Sequence, residues 1–308
     1  MKIYPLFIIS VLIPRMIRLM SRKGLDLMKI IDAHMHFSEV QAFYSAAEEA
    51  RVDYSYAGLK AEAAENNVVA FVCMGCGEKI PHSFPDKRAS NPMTANLLEI
   101  APPSLYICLG INPHTLDAAG IERMRLMILS DPTIVGFKIF AGYYHFYVND
   151  RVYSPVYKLA AEYGLTVAIH TGVTYSETGL MEYSHPLTAD RLAVEFRDTK
   201  FLLCHMGNPW IMDACEVAYK NRNVFLDISG LVEGTPAHIV DVMENNLLMQ
   251  HYSLGLVYLN NYKKVLFGTD WPIVPYYEYI NFCMRLIPEK YYDDVFWNNA
   301  VKVYGLKM

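Results

Sequence analysis

The chain has 308 residues, 53% of them hydrophobic and 19% charged, which excludes a disordered or low-complexity polypeptide. Its 27 basic and 32 acidic side chains leave a formal charge of −5 and form no lysine- or arginine-rich patch, which excludes nucleic acid as a partner. Six cysteines lie scattered, mostly inside apolar runs, as reduced thiols of a cytoplasmic protein do.

From the start, Tyr4 to Ile13 is apolar and Arg15, Arg18, Arg22 and Lys23 follow it. The run is too short for a transmembrane span, and Pro5 and Pro14 bracket it. A secretory signal carries its charge ahead of its apolar region, so that reading fails. Residues 1–27 read either as a membrane-surface segment or as sequence upstream of a start at Met28. The second is preferred, because Met28-Lys-Ile-Ile-Asp opens directly on a strand. The folded unit is expected over residues 28–308.

Eight apolar, β-rich runs follow: Lys29–Met35, Val68–Met74, Tyr106–Ile111, Ile134–Phe140, Thr166–His170, Phe201–His205, Val224–Ile228 and Val265–Gly268. They are mostly continuous rather than alternating, as parallel strands buried on both faces are. Helical signals fill the gaps. Tyr56–Asn66 is rich in Ala and Glu and stops at Asn-Asn. Ser154–Tyr163 opens with a Ser cap and a proline and stops at Gly164, and Met212–Asn221 has apolar residues at helical spacing. Eight βα units in one domain predict a TIM-type (β/α)8 barrel, usually about 250 residues long. A doubly wound sheet would need a glycine-rich turn after the first strand, and Phe37-Ser-Glu-Val has none.

In such a barrel the C-terminal strand ends share one rim. His34 and His36 stand two apart and leave one face of the first strand. His170 ends the fifth strand, His205 the sixth, and Asp270 follows the eighth. Imidazoles and a carboxylate gathered on one rim are the donor set of a divalent metal.

The motifs Asp32-Ala-His-Met-His, Ile169-His-Thr-Gly, Cys204-His-Met-Gly-Asn-Pro and Phe267-Gly-Thr-Asp-Trp-Pro resemble those of the amidohydrolase superfamily. They are most similar to its amidohydrolase-2 branch of metal-dependent hydrolases and aminocarboxymuconate-semialdehyde decarboxylase-like enzymes. The resemblance implies that His34, His36, His170 and Asp270 ligate a metal, Zn²⁺ before Mn²⁺ or Fe²⁺, with one ion per chain favoured over two. It implies a hydrolase in which metal-activated water attacks the carbonyl carbon of a small amide, lactone or ester. Asp270 would serve as general base and then acid. His205 would polarise the substrate and orient the water, or else ligate a second metal. Lys138, near the end of the fourth strand, would bridge two metals if carboxylated, or contact substrate if not. A homodimer is implied by family analogy.

Other residues are open. His114 and His145, the latter in the aromatic loop Gly142–Tyr147, could touch substrate or a second metal. His82 and His185 are further rim candidates, Asp227 could support the site from behind, and His238 and His251 read as structural. Cys73 and Cys76 lack a second pair and read as packing. The competing enzyme reading is non-oxidative decarboxylation, with Arg51, Lys138 or Arg151 clamping the substrate carboxylate. A barrel that binds metal and ligand without catalysis is the reading from a different class.

Overall fold

The eight apolar runs pair side by side into one sheet of eight strands in chain order, every ladder parallel. The strands are β1 (Ile30–Met35), β2 (Val68–Met74), β3 (Leu105–Ile111), β4 (Ile134–Ile139), β5 (Thr166–Ile169), β6 (Lys200–Leu203), β7 (Val224–Asp227) and β8 (Val265–Leu266). This computed structural model describes residues 28–37, 41–75 and 105–308; the segment 1–27, Cys76 and His82 lie outside the described residues. No described helix is long and apolar enough to cross a membrane.

β8 is shorter than its apolar run because Phe267 leaves the ladder. Its N–H donates to the Val295 carbonyl at 2.9 Å, and its own carbonyl accepts from Ala33 N at 3.0 Å. With Asp270 N to His34 O at 2.8 Å and His36 N to Trp271 O at 2.7 Å, this bond closes β8 against β1. Closure therefore draws Asp270 to the two histidines of β1.

The helices are α1 (Gln41–Ala50), α2 (Tyr56–Glu65), α3 (Ala118–Ser130), α4 (Ser154–Tyr163) and α5 (Met181–Ser184), then α6 (Thr188–Glu195) and α7 (Ile211–Lys220). Next come α8 (Pro236–Glu244), α9 (Asn246–Leu259), α10 (Tyr276–Leu286) and α11 (Asn299–Tyr304). α4 stops at Gly164, whose φ of 69° is left-handed backbone that glycine takes without strain. Ser154 is a helical residue rather than a cap and makes no capping bond, because a 3₁₀ turn at Arg151–Tyr153 leads straight into it. α7 begins and ends one residue ahead of its predicted span.

Two cores result. Strand side chains pointing outward pack under the helices. Those pointing inward, among them Ile31, Val72, Cys108, Val135 and Leu202, fill the barrel and meet Ala300, Val303 and Tyr304 of the C-terminal helix, and Leu306 just past it, at its floor. At the strand starts, Thr166 Oγ1 donates to Val303 O at 2.6 Å, Tyr106 OH donates to Lys307 O at 2.8 Å, and Lys200 Nζ also reaches Val303 O. The floor is plugged, and open polar space is left to the other end.

Candidate metal centre and its pocket

His34 lies within β1, His36 one residue past its end, and alternation turns both rings to one side. His205 and Asp270 follow β6 and β8 at positive φ, 60° and 65°. Such backbone costs a non-glycine residue roughly 1–3 kcal/mol and persists only where neighbours over-determine it. The restraints are visible: Asp270 N is bonded to His34 O, and His205 N donates to Asp227 Oδ1 at 2.9 Å.

Nε2 of His34 and Nε2 of His36 stand 3.2 and 3.0 Å from Oδ1 of Asp270, and the three donors fall within 4.8 Å of one another. That Oδ1 is buried and receives no properly angled hydrogen bond. Two imidazole nitrogens and a carboxylate oxygen crowded about one point suit a cation. The electrostatics agree. Burial raises the Asp270 carboxyl, but His205 and His34 outweigh it and hold the group well below the usual carboxylate range. Burial and Lys138 disfavour a charged His34, yet Asp227, Cys204 and Asp270 prevail and hold its pKa well above the ordinary value. The carboxylates thus call for positive charge here, which a divalent ion supplies. His36, lowered by burial to about 4, is neutral at neutral pH.

Behind these donors stands a scaffold of carboxylates. Asp227 closes β7; its Oδ2 accepts from His34 Nδ1 at 2.9 Å, which turns Nε2 toward the site. Its Oδ1 accepts from His205 N, from Ser229 N at 3.1 Å and from Ser229 Oγ at 2.5 Å. Asp32 accepts from His34 N, Thr269 N, Thr269 Oγ1 and Tyr276 OH, tying the β1 end to the chain after β8. Glu62 of α2 accepts from Tyr276 N at 2.6 Å and Trp271 Nε1 at 3.1 Å.

A second pair lies beside the first. His205 Nε2 faces His170 Nδ1 at 3.1 Å. Carbonyls only accept, so His205 Nδ1, 3.2 Å from Ser229 O, and His170 Nε2, 3.0 Å from Val173 O, are the protonated nitrogens. Burial lowers His205 to about 4, and burial, His205 and Lys138 lower His170 well below its usual value, so both rings are neutral. Two lone pairs then confront each other, an arrangement that a cation relieves. Lys138, fully buried, sets Nζ 3.2 Å from His34 Nε2 and 3.2 Å from Cys204 Sγ.

His36, Lys138, His170, His205 and Asp270 open on a cavity of about 310 Å³, walled further by Phe43, Phe140, Tyr143, Tyr175 and Glu233. The structure thus brings together all five metal-site candidates and Lys138. It pairs His170 with His205 rather than with Asp270, which clusters instead with His34 and His36. His114 and His145 are not on the cavity wall. His114 is exposed and packs edge-on against Tyr144 and Phe146. His145 is also exposed, stacked on Tyr183 with Nε2 3.2 Å from Thr178 O. His185 packs on Trp210, and His238 and His251 are exposed on α8 and α9. Arg51 and Arg151 are exposed and line no part of the cavity. Cys73 is buried with Sγ against Met35 Sδ.

Sequence reasoning missed Ser229 and Glu233. Ser229 stands two residues after Asp227, the same alternation that marked His34 and His36, so its signal was present. Gly230, between them, has φ +56°, and a Cβ there would stand 3.1 Å from both Asp270 Oδ2 and His205 Nδ1. Glycine is required where the chain passes so near the site.

The amidohydrolase family model matches residues 31–306. Among solved structures, an uncharacterised TIM-barrel protein from Bordetella bronchiseptica is 19% identical, with a TM-score of 0.67 over 90% of this chain and 99% of that one. The 5-carboxyvanillate decarboxylase from Sphingomonas paucimobilis is 15% identical, TM-score 0.63, over 91% of this chain and 99% of that one. An amidohydrolase from Burkholderia multivorans with bound zinc is 13% identical, TM-score 0.63, over 91% and 100%. At these identities the likeness shows the fold. No curated protein sequence matches.

Proposed function

We propose a function from one premise: the chain belongs to the amidohydrolase family, whose members include hydrolases and decarboxylases. The proposed activity is hydrolysis of a small amide, ester or lactone with one divalent cation per chain, zinc before manganese or iron. His34, His36 and Asp270 would hold the cation with His170 as further donor. Once bound, the ion supplies Lewis acidity, which polarises a carbonyl and lowers the pKa of water.

The observation that carries this reading is the division of labour in one carboxylate. Oδ1 of Asp270 faces the imidazoles of β1, whereas Oδ2 turns toward His205, 3.9 Å from Nδ1, and toward Gly230. One oxygen thus serves the ion while the other takes the proton of attacking water and returns it to the leaving group. His205, with its proton committed to Ser229 O, offers Nε2 as an acceptor. Its proposed role is therefore to orient the water, not to donate to the oxyanion. Lys138 presents an unmodified amine to the carbonyl oxygen or to a substrate carboxylate. A cytoplasmic setting is proposed from the cysteines among the described residues, all five of them buried and free.

One observation favours decarboxylation as a second reading: Lys138 is a fully buried cation on the cavity wall, suited to holding a carboxylate. Asp270 would then deliver a proton to carbon.

Elemental analysis of wild type, His34→Ala and Asp270→Ala tests the metal reading. The expected result is about one transition metal per chain in wild type and none in either variant; no metal in protein supplied with Zn²⁺ overturns it. Two metals per chain, with one lost in Lys138→Ala, would instead assign Lys138 as a bridge. A substrate panel read for both carbonyl hydrolysis and CO₂ release then separates the two activities.

A further inference from the structure

One wall of the cavity is a helix face. Ala42, Phe43 and Ala46 of α1 line it, at the three- and four-residue spacing that gathers side chains on one side of a helix. Tyr44, Ser45, Glu48 and Glu49 of the same helix are exposed. Ala42 and Phe43 pack with Phe140 and with Tyr143, Tyr144 and Phe146 of the loop after β4, in a third, small aromatic cluster.

Within that cluster the half-buried ring of Phe43 lies nearly flat on the imidazole of His36, with centroids 4.5 Å apart and planes 21° apart. Phe140 stands farther off, at 6.3 Å and 35°. Nε2 of His36 is 3.0 Å from Asp270 Oδ1, so the ring that Phe43 covers is one of the three clustered donors. Rotation of this imidazole about its Cβ–Cγ bond would break the stack and carry Nε2 away from Asp270 in one movement. The other histidine of β1 is aimed by a hydrogen bond, from His34 Nδ1 to Asp227.

A stacked ring also responds to charge. An imidazole that gives its lone pair to a cation loses electron density, and the negative face of a phenyl ring attracts it more than it attracts a free, neutral imidazole. The stack is therefore stronger with an ion at Nε2 than without one. Linkage is reciprocal, so a contact that the ion strengthens also strengthens the hold on the ion.

We infer that Phe43 positions His36 for the metal, so that α1 and the ion hold each other in place. This rests on the reading of His34, His36 and Asp270 as metal ligands, and deepens it by adding a residue that donates nothing to the ion. It also gives α1 a task beyond walling the cavity: the seating of this helix follows the occupancy of the site.

The test is the zinc affinity of the full-length protein, measured by chelator competition, together with hydrogen exchange of the amides of residues 41–50 with and without Zn²⁺. Phe43→Leu keeps an apolar side chain and removes the flat face; Phe43→Tyr keeps the face. Phe43→Leu is expected to weaken zinc binding by about two- to tenfold, the scale of one stacked ring pair. Phe43→Tyr should bind zinc as the wild type does. Zinc should slow exchange in α1 of the wild type, and slow it by a smaller factor in Phe43→Leu. A phenylalanine that only packs would instead lower the thermal midpoint of zinc-free Phe43→Leu and leave its zinc affinity alone. Unchanged affinity in Phe43→Leu, an equal loss in Phe43→Tyr, or wild-type exchange in α1 indifferent to zinc overturns the inference. A wild type that takes up no zinc overturns the metal reading and this one together, whereas zinc uptake indifferent to residue 43 overturns this one alone.

Discussion

At the floor of the barrel, hydroxyl and amine groups reach out to backbone carbonyls; at the rim, similar groups hold up carboxylates and imidazoles. The floor bonds of Thr166, Tyr106 and Lys200 go to Val303 and Lys307, in and just past the last helix, where helical carbonyls lack partners of their own. Every group named there is satisfied, and the side chains above it are apolar. The rim instead gathers Asp32, Asp227 and Asp270 about the histidines and leaves Asp270 Oδ1 without a hydrogen bond. The left-handed backbone of His205, Met206 and Asp270 also lies there. The difference teaches where this molecule places unmet charge: at the end that must bind something. Damage to the floor should therefore cost stability, and damage to the rim should cost binding.

The largest effect is expected from Tyr304→Ala. Tyr304 is 3% exposed, sits in the floor cluster and directs its hydroxyl to Ala33 O. Loss of a buried aromatic side chain costs about 3–5 kcal/mol. Urea unfolding should show that loss, while metal content per folded chain stays at the wild-type value. A variant of unchanged stability, or one that folds but no longer holds metal, would break the division between the ends.

Asp227→Asn sharpens the comparison from the other side. The amide still offers one oxygen to His205 N and Ser229, but its NH₂ confronts the His34 Nδ1–H. Loss of such an orienting partner weakens metal binding by about 10–100-fold. Competition against a chelator of known affinity measures it, and the loss in urea stability should be smaller than that of Tyr304→Ala. Unaltered metal affinity would show that His34 needs no partner to aim it.

The floor and the rim also differ in how far the sequence exposes them. The barrel was legible because strands buried on both faces must be apolar throughout, and because Gly164 stops α4 with a backbone only glycine takes easily. The main rim residues were legible because polar side chains closing apolar strands have few structural uses. Less was visible wherever the relation is three-dimensional. His114 and His145 follow the right strands yet turn outward into aromatic contacts. The pairing of His170 with His205 depends on which carbonyls claim the outer nitrogens. Glu233 lies in a loop with no pattern, and only the fold shows that it faces the cavity. The C-terminal helix gave no hint that it plugs the floor, because its partners lie more than a hundred residues away.

The finest test uses two threonines about one strand apart. Thr166 opens β5 and donates to Val303 O at 2.6 Å; Thr171, just past its end, donates to Cys204 O at 2.6 Å. Both are buried, and in each case the acceptor is a backbone carbonyl. Thr→Val at either position removes the same donor and keeps the shape, so each should cost about 1 kcal/mol; Val303 O keeps Lys200 Nζ as a donor. Stability alone should hardly tell them apart. Their chemistry should, because Cys204 precedes His205 and lies at 3.2 Å from Lys138 Nζ through its sulfur. Release of the Cys204 carbonyl loosens the strained turn that aims His205, whereas release of Val303 loosens only the plug. Thr171→Val is expected to lower metal affinity severalfold and Thr166→Val to leave it unchanged. Equal effects on metal in the two variants would mean that the barrel transmits strain along β5 from end to end, and that floor and rim are one mechanical unit.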